Sequence, residues 1–180
     1  MTGRVFAVVG PSGVGKDTLL AGALAASPAL HWARRCITRP ETSEGEPFIG
    51  LSPAAFAQKC AAGDFALHWQ AHGLNYGIEA AEFAPLAVGR DVLFNGSRAA
   101  LAAALARFPD LVVLRISAPS RVLAERLLAR GRESAAEVKA RLLRASYELP
   151  EALPVIDIAN DSSPAEGVAR LLAALQRARG

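Results

Sequence analysis

The chain predicts an α/β fold, a parallel sheet flanked by helices, and two observations carry that expectation. Apolar runs at Val5–Val9, Val92–Phe94, Leu111–Ile116 and Val155–Ile158 alternate with Ala- and Leu-rich segments of helical period at Thr18–Ala26, Ala99–Arg107, Ser120–Ala129, Ala135–Tyr147 and Pro164–Arg177. Runs that are apolar at nearly every position suit strands covered on both faces. The second observation is a glycine-rich turn, Gly10 to Gly15, between the first run and the first helical segment. It falls at the carboxyl end of a strand, where open α/β sheets bind ligands.

In chain order, the strand Val5–Val9 leads into Gly10-Pro11-Ser12-Gly13-Val14-Gly15-Lys16-Asp17, which has the G-x-x-x-x-G-K spacing of a phosphate loop. Its glycines let successive backbone N–H groups curl round an anion, the following helix adds its partial positive charge, and Lys16 can reach terminal phosphates. Strand, loop and helix in this order point to a nucleoside triphosphate, with Gly10 through Thr18 as the binding segment. A Ser or Thr whose hydroxyl touches magnesium usually follows the lysine; here Asp17 stands in that place and Thr18 comes one residue later. A carboxylate holds magnesium directly or through water, so Asp17 and Thr18 are both candidate metal residues.

The rhythm breaks from about residue 36 to 78. This stretch holds a Pro/Gly/Glu-rich loop, a short helix near Pro53–Ala61 and hairpin-like strands near Phe65–Gln70 and Leu74–Ile78, and it reads as an inserted acceptor-binding subdomain. The strand Val92–Phe94 then runs into Asn95-Gly96-Ser97-Arg98, and helix, strand and helix follow at Ala99–Arg107, Leu111–Ile116 and Ser120–Ala129. Arg130-Gly131-Arg132 and the next helix, which bears Arg141 and Arg144, have the composition of an Arg-rich lid over about 130–144. The strand Val155–Ile158 and the helix Pro164–Arg177 complete the pattern. With no repeat and no low-complexity linker, residues 1–180 read as a single domain.

Composition narrows the classes of function. At 180 residues and 52% apolar content, one full core is expected and disorder is not. No apolar stretch approaches the roughly 18 residues of a membrane span, and Met1 leads straight into a strand without a cleavable signal, so a cytoplasmic location is expected. Cys36 and Cys60 have neither zinc nor disulfide spacing. Of the 20 basic residues 17 are arginine, the side chain suited to bidentate phosphate contacts. They form no basic run with interleaved aromatics, so nucleic acid is not an expected partner, while a homodimer is left open.

Several segments line up with guanylate kinases: Gly10–Thr18, Thr38-Arg39-Pro40, Gly45-Glu46, Tyr76-Gly77, Arg126-Leu127 with Arg130-Gly131, Arg141-Leu142, and Asn160-Asp161 after the final strand. The chain thus resembles the guanylate-kinase-like P-loop NTPase group over nearly its whole length. It lacks most of that group's guanine-gripping side chains. Pro40-Glu41-Thr42 has no second arginine, Pro47-Phe48-Ile49-Gly50 supplies no Tyr, Leu67 stands where a carboxylate is usual, and Ile78 replaces a hydroxyl residue. A base-reading site without its hydrogen-bond partners loses discrimination by large factors. Ile37-Thr38-Arg39-Pro40, Phe65 through Leu74 with its His68-Trp69-Gln70-Ala71-His72, and Asn95-Gly96-Ser97-Arg98 resemble instead the ribose 1,5-bisphosphate phosphokinases of phosphonate catabolism. Asp17 after the loop lysine suits them too.

The resemblance implies transfer of the γ-phosphoryl group of Mg²⁺-ATP to a phosphorylated sugar, ribose 1,5-bisphosphate, giving 5-phosphoribosyl 1-diphosphate. It makes Lys16, Arg39, Arg130 and Arg141 the catalytic candidates, with Arg39 matching a phosphate-binding position of the relatives. Glu46, His68, His72, Tyr76, Asn95 and Arg98 join Arg39 as acceptor-site candidates. Each has a plainer reading: a solvated helix face for Arg130, Arg132 and Arg141, a strand surface for the two histidines, a helix cap for Asn95, and a solvated loop carboxylate for Glu46. A nucleoside monophosphate kinase, or a guanylate-kinase-like binding module without catalysis, are the alternative functions.

Overall fold

Every residue of Val5–Val9 is buried, as two-sided coverage requires, and this strand (β1) lies in the middle of the main sheet. The computed structural model describes residues 2–41, 46–129, 149 and 153–179. The expected lid, with Arg130, Arg132, Arg141 and Arg144 and the segment 135–147, lies outside the described residues, as do Thr42 and Gly45.

The main sheet has five parallel strands in the order β2-β7-β1-β8-β9, where β2 is Leu30–Trp32, β7 Asp91–Asn95, β8 Val112–Ser117 and β9 Val155–Ala159. Strand β2 stands outside the apolar runs of the sequence. It is a three-residue edge strand with His31 at its centre, too short and too polar to register as an apolar run. Helices α1 (Lys16–Ala26) and α5 (Pro164–Arg179) bury Leu19, Leu20, Leu171 and Leu175 against one face, beside Phe6, Val8, Leu93 and Leu114. On the other face Val5, Ala7, Val9, Val92 and Phe94 meet Leu101 and Ala104 of α3 (Arg98–Arg107) and Phe83. Phe83 belongs to the 3₁₀ helix Ala80–Val88, also unforeseen; Pro85 inside it removes an N–H donor and resists regular α-helical bonding. Helix α4 (Ser120–Ala129), which follows β8, buries Leu123 on the same face as α1 and α5.

A second sheet, ordered β4-β3-β6-β5, is built from β3 (Cys36–Ile37), β4 (Ile49–Gly50), β5 (Phe65–Ala71) and β6 (Leu74–Glu79), with α2 (Pro53–Ala62) between β4 and β5. Ser52 starts α2 by accepting a hydrogen bond from Ala55 N at 3.1 Å, and Pro53 takes the first turn, where no N–H is needed. The β5–β6 hairpin turns at His72-Gly73, both with positive φ (52° and 73°), the geometry of the tight turn that matches strand twist. Along β5, Leu67 and Trp69 point inward while His68 and Gln70 are exposed, the period of two expected of a half-covered strand.

In the main sheet, the chain leaves β1 toward β2 on one side and leaves β7 toward β8 on the other. The carboxyl ends of β1 and β7 therefore flank the crevice at which the topology switches direction, the usual ligand position in such sheets.

Candidate active site

The phosphate loop occupies the β1 side of that crevice. Gly15 ends it with φ 95° as the N-cap of α1, a conformation open to glycine and strained for other residues. A Cβ there would also come within 2.6 Å of Asn160 Nδ2. Lys16 folds its ammonium back across the loop, donating to the carbonyls of Gly10 at 2.9 Å and Pro11 at 3.1 Å. The loop is braced from behind at Val14, whose carbonyl accepts from Asn160 Nδ2 at 2.7 Å and from Arg126 at 3.2 Å. Asn160 follows β9 and Arg126 belongs to α4, so two distant elements set the loop's shape.

The β7 side carries Asn95, which meets two carboxylates. Asp17, in the first turn of α1, accepts at Oδ1 from Asn95 Nδ2 at 2.8 Å, and the same nitrogen donates to Glu46 Oε2, also at 2.8 Å. Asn95 is 2% exposed and Glu46 7%. Glu46 is thus no solvated loop carboxylate: Arg35 Nε donates to its Oε1 at 2.8 Å, and a terminal nitrogen of Arg35 contacts Oε2. Nor does Asn95 act as a helix cap: its Oδ1, the atom that would accept a capping hydrogen bond, accepts none among the described residues, and Ser97 holds the N-cap position of α3 without a side-chain cap bond.

The remaining candidates are spread around this cluster. Tyr76 lies under the Arg35 guanidinium, 5.2 Å from ring centroid to carbon, and stacks on Trp69 at 5.5 Å with planes 8° apart. Exposed Arg39 covers the ring of Phe48 at 4.5 Å, and exposed Arg98 begins α3 beside the crevice. His68 is exposed and projects from the face of β5 opposite Trp69, whereas Tyr76 pairs with Trp69 on the inner face, so the structure separates His68 from the Tyr76 cluster. His72 is an exposed turn residue. Thr18 is exposed on α1, while the Asp17 carboxylate faces Asn95, which favours Asp17 of the two candidate metal residues. Arg35 is a site residue that no sequence motif marks. Its signal was the pair Arg34-Arg35 just before the buried Cys36, with only the second side chain turned inward, and spacing alone does not show which arginine turns.

The donor chemistry here suits magnesium. That ion binds through one or two carboxylates, water and substrate phosphates rather than an all-protein cage, and Asp17 supplies a carboxylate one residue from the loop lysine. No cluster of three or more His, Cys, Asp or Glu with metal-site geometry occurs among the described residues. A cavity of about 840 Å³ lies at the opposite end of the main sheet, lined by Gly3, Arg4, Asp91, Leu111 and Arg179 among others. It contains none of the loop or crevice residues, and convergence of polar groups, not volume, marks the site. No described helix is long and apolar enough to cross a membrane.

No family model matches the chain. Individual relatives do. A ribose 1,5-bisphosphate phosphokinase PhnN from Ruegeria sp. is 46% identical over 179 residues, covering 98% of this chain and 94% of the relative. The chain belongs to the ribose 1,5-bisphosphate phosphokinase family. A bifunctional ribose 1,5-bisphosphokinase-thymidine phosphorylase from Azorhizobium caulinodans is 49% identical over 177 residues and 97% of this chain; the chain spans 26% of that protein's length. Among solved structures, a guanylate kinase from Anaplasma phagocytophilum superposes with a TM-score of 0.71 at 20% identity, over 98% of this chain and 86% of that one. The likeness places the ribose 1,5-bisphosphate phosphokinase fold of this chain with the guanylate kinases, an α/β P-loop kinase architecture.

Proposed function

We propose that this chain transfers the γ-phosphoryl group of ATP to ribose 1,5-bisphosphate, yielding ADP and 5-phosphoribosyl 1-diphosphate; its relatives are named ribose 1,5-bisphosphate phosphokinases. The observation that carries the reading is the crevice itself: a lysine-bearing phosphate loop on one wall, and on the other an acceptor segment joined to it through Asn95. The bond that breaks links Pγ to the β–γ bridging oxygen of ATP. The bond that forms links Pγ to an oxygen of the acceptor's 1-phosphate. That oxygen is already ionised near neutral pH, so the residues need not remove a proton from it; positioning and charge neutralisation carry the rate.

Lys16 and the loop amides cradle the β- and γ-phosphates, where the ammonium opposes the charge that develops on transfer. Magnesium, held by Asp17 and the phosphates, would neutralise further charge there. The acceptor brings two phosphates of up to about −2 each, for which exposed Arg39 and Arg98 are candidate cations. Arg130 and Arg141 fill the lid role by resemblance. Arg35, paired to Glu46 and stacked on Tyr76, holds the acceptor wall. Purine recognition is disfavoured by Leu67, whose buried side chain (3% exposed) offers no hydrogen bond at a guanylate kinase carboxylate position.

Purified protein with Mg²⁺-ATP should consume ribose 1,5-bisphosphate and form 5-phosphoribosyl 1-diphosphate, with no turnover of GMP, AMP, UMP or dTMP. Coupled ADP release with phosphorus NMR of the product reads this directly. Preference for a nucleotide acceptor would replace the reading with a nucleoside monophosphate kinase, and absence of turnover with every acceptor would replace it with a binding module.

A further inference from the structure

One amide joins the two walls of the crevice. Asn95 closes β7 from a position almost wholly removed from solvent, and a primary amide has two N–H donors. Both are in use, one on Asp17 Oδ1 and one on Glu46 Oε2, each at 2.8 Å. This pairing fixes the orientation of the amide, since the flipped form would set its oxygen against two carboxylates. Oδ1 is left buried without a hydrogen-bond partner among the described residues. Glu46 cannot swing away, because Arg35 grips both of its oxygens, and Arg35 is seated on the Tyr76 ring, which is stacked on buried Trp69. The chain of contacts therefore runs from the inner face of the β5–β6 hairpin to the first turn of the nucleotide helix.

We propose that Asn95 is a positioning residue: by binding Asp17 and Glu46 with one amide, it makes the orientation of the Asp17 carboxylate depend on the Arg35–Glu46 pair of the acceptor segment. The Asp17 carboxylate has no other hydrogen-bond partner among the described residues, so its direction at the phosphate loop is set from the acceptor side. A change in the acceptor segment is thereby felt at the magnesium-nucleotide side without any contact between acceptor and nucleotide. The inference rests on the kinase reading and on Asp17 as the magnesium residue.

The test is titration calorimetry of ADP binding to the full chain, with and without Mg²⁺ and with no acceptor present. The quantity read is the gain in ADP affinity that magnesium confers. Glu46→Gln, which leaves the phosphate loop untouched, should cut that gain about tenfold, the equivalent of one charge-assisted hydrogen bond. Asn95→Leu should cut it equally, and the double variant no further, because both sever the same connection. Arg35→Met should act like Glu46→Gln, and these two variants carry the test if Asn95→Leu does not fold. A gain unchanged in Glu46→Gln but lost in Asp17→Asn overturns the coupling while leaving Asp17 as the magnesium residue. A gain unchanged in Asp17→Asn overturns the assignment of Asp17 and the inference with it. Wild-type protein that binds no ADP overturns the kinase reading itself.

Discussion

At the scale of single residues, Lys16 and Cys36 mark two extremes of environment. The Lys16 ammonium is held over the loop by two carbonyls, in place to meet a phosphate. Lys16→Ala should lower kcat by a factor on the order of 10²–10³, the loss typical of one preorganised charge-stabilising donor, with the circular dichroism spectrum unchanged. The Cys36 thiol is fully buried and lies 3.7 Å from Glu79 Oε1; burial first, then the Glu79 charge, pushes its pKa up to about 11. Native protein should therefore react with a thiol reagent at Cys60 alone near neutral pH, and at both cysteines once denatured. The sign of the linkage is fixed by the same shift. Since the folded-state value lies above the ordinary 9.0, the Cys36 contribution is complete below pH 9 and is lost as pH rises through about 11, which alkaline denaturation curves of a Cys36→Ala variant would check.

At the scale of elements, the packing of α1 on α5 is set by a missing side chain. A Cβ on Gly167 would stand 2.5 Å from Asn160 Oδ1 and 2.6 Å from a methyl of Leu19. Gly167→Ala gains about 1 kcal/mol of helix propensity and loses about 1–3 kcal/mol to overpacking. A net destabilisation of about 1 kcal/mol is expected in denaturant titrations, together with weaker nucleotide binding, because the displaced Asn160 braces Val14. On β8 and β9, Arg115 and Asp157 are register partners and form a bidentate pair in which Arg115 holds the Asp157 carboxyl below its usual range. Because the shift is downward, its contribution is present above the ordinary carboxylate pKa and disappears as pH falls through the lowered one. The pair is largely solvated, so Asp157→Asn should cost less than about 1 kcal/mol at pH 7, with the difference from wild type vanishing in acid.

At the scale of the whole molecule, legibility followed contact range. The parallel α/β sheet was readable because four of its strands carry mostly apolar runs, and the phosphate loop was readable because its chemistry lies in consecutive residues. Edge strand β2 and the 3₁₀ helix were not, the one for its brevity and polar centre, the other for its proline. Asn95 and Glu46 were legible as residues and not as partners. Their bond spans 49 positions, and whether a loop carboxylate is solvated or buried depends on Arg35, which no local pattern distinguishes from Arg34. His68 illustrates the converse: the hairpin was foreseen, but the strand's alternation turns that histidine away from Tyr76.

The brace between Asn160 and Val14 joins residues 146 positions apart. On a translating ribosome the motif that grips phosphate is made almost at once, yet its supporting amide arrives only after β9 has been synthesised. Nascent chains halted before that strand should carry an intact glycine-lysine signature and still fail to be retained on immobilised ADP, whereas chains released after α5 should bind.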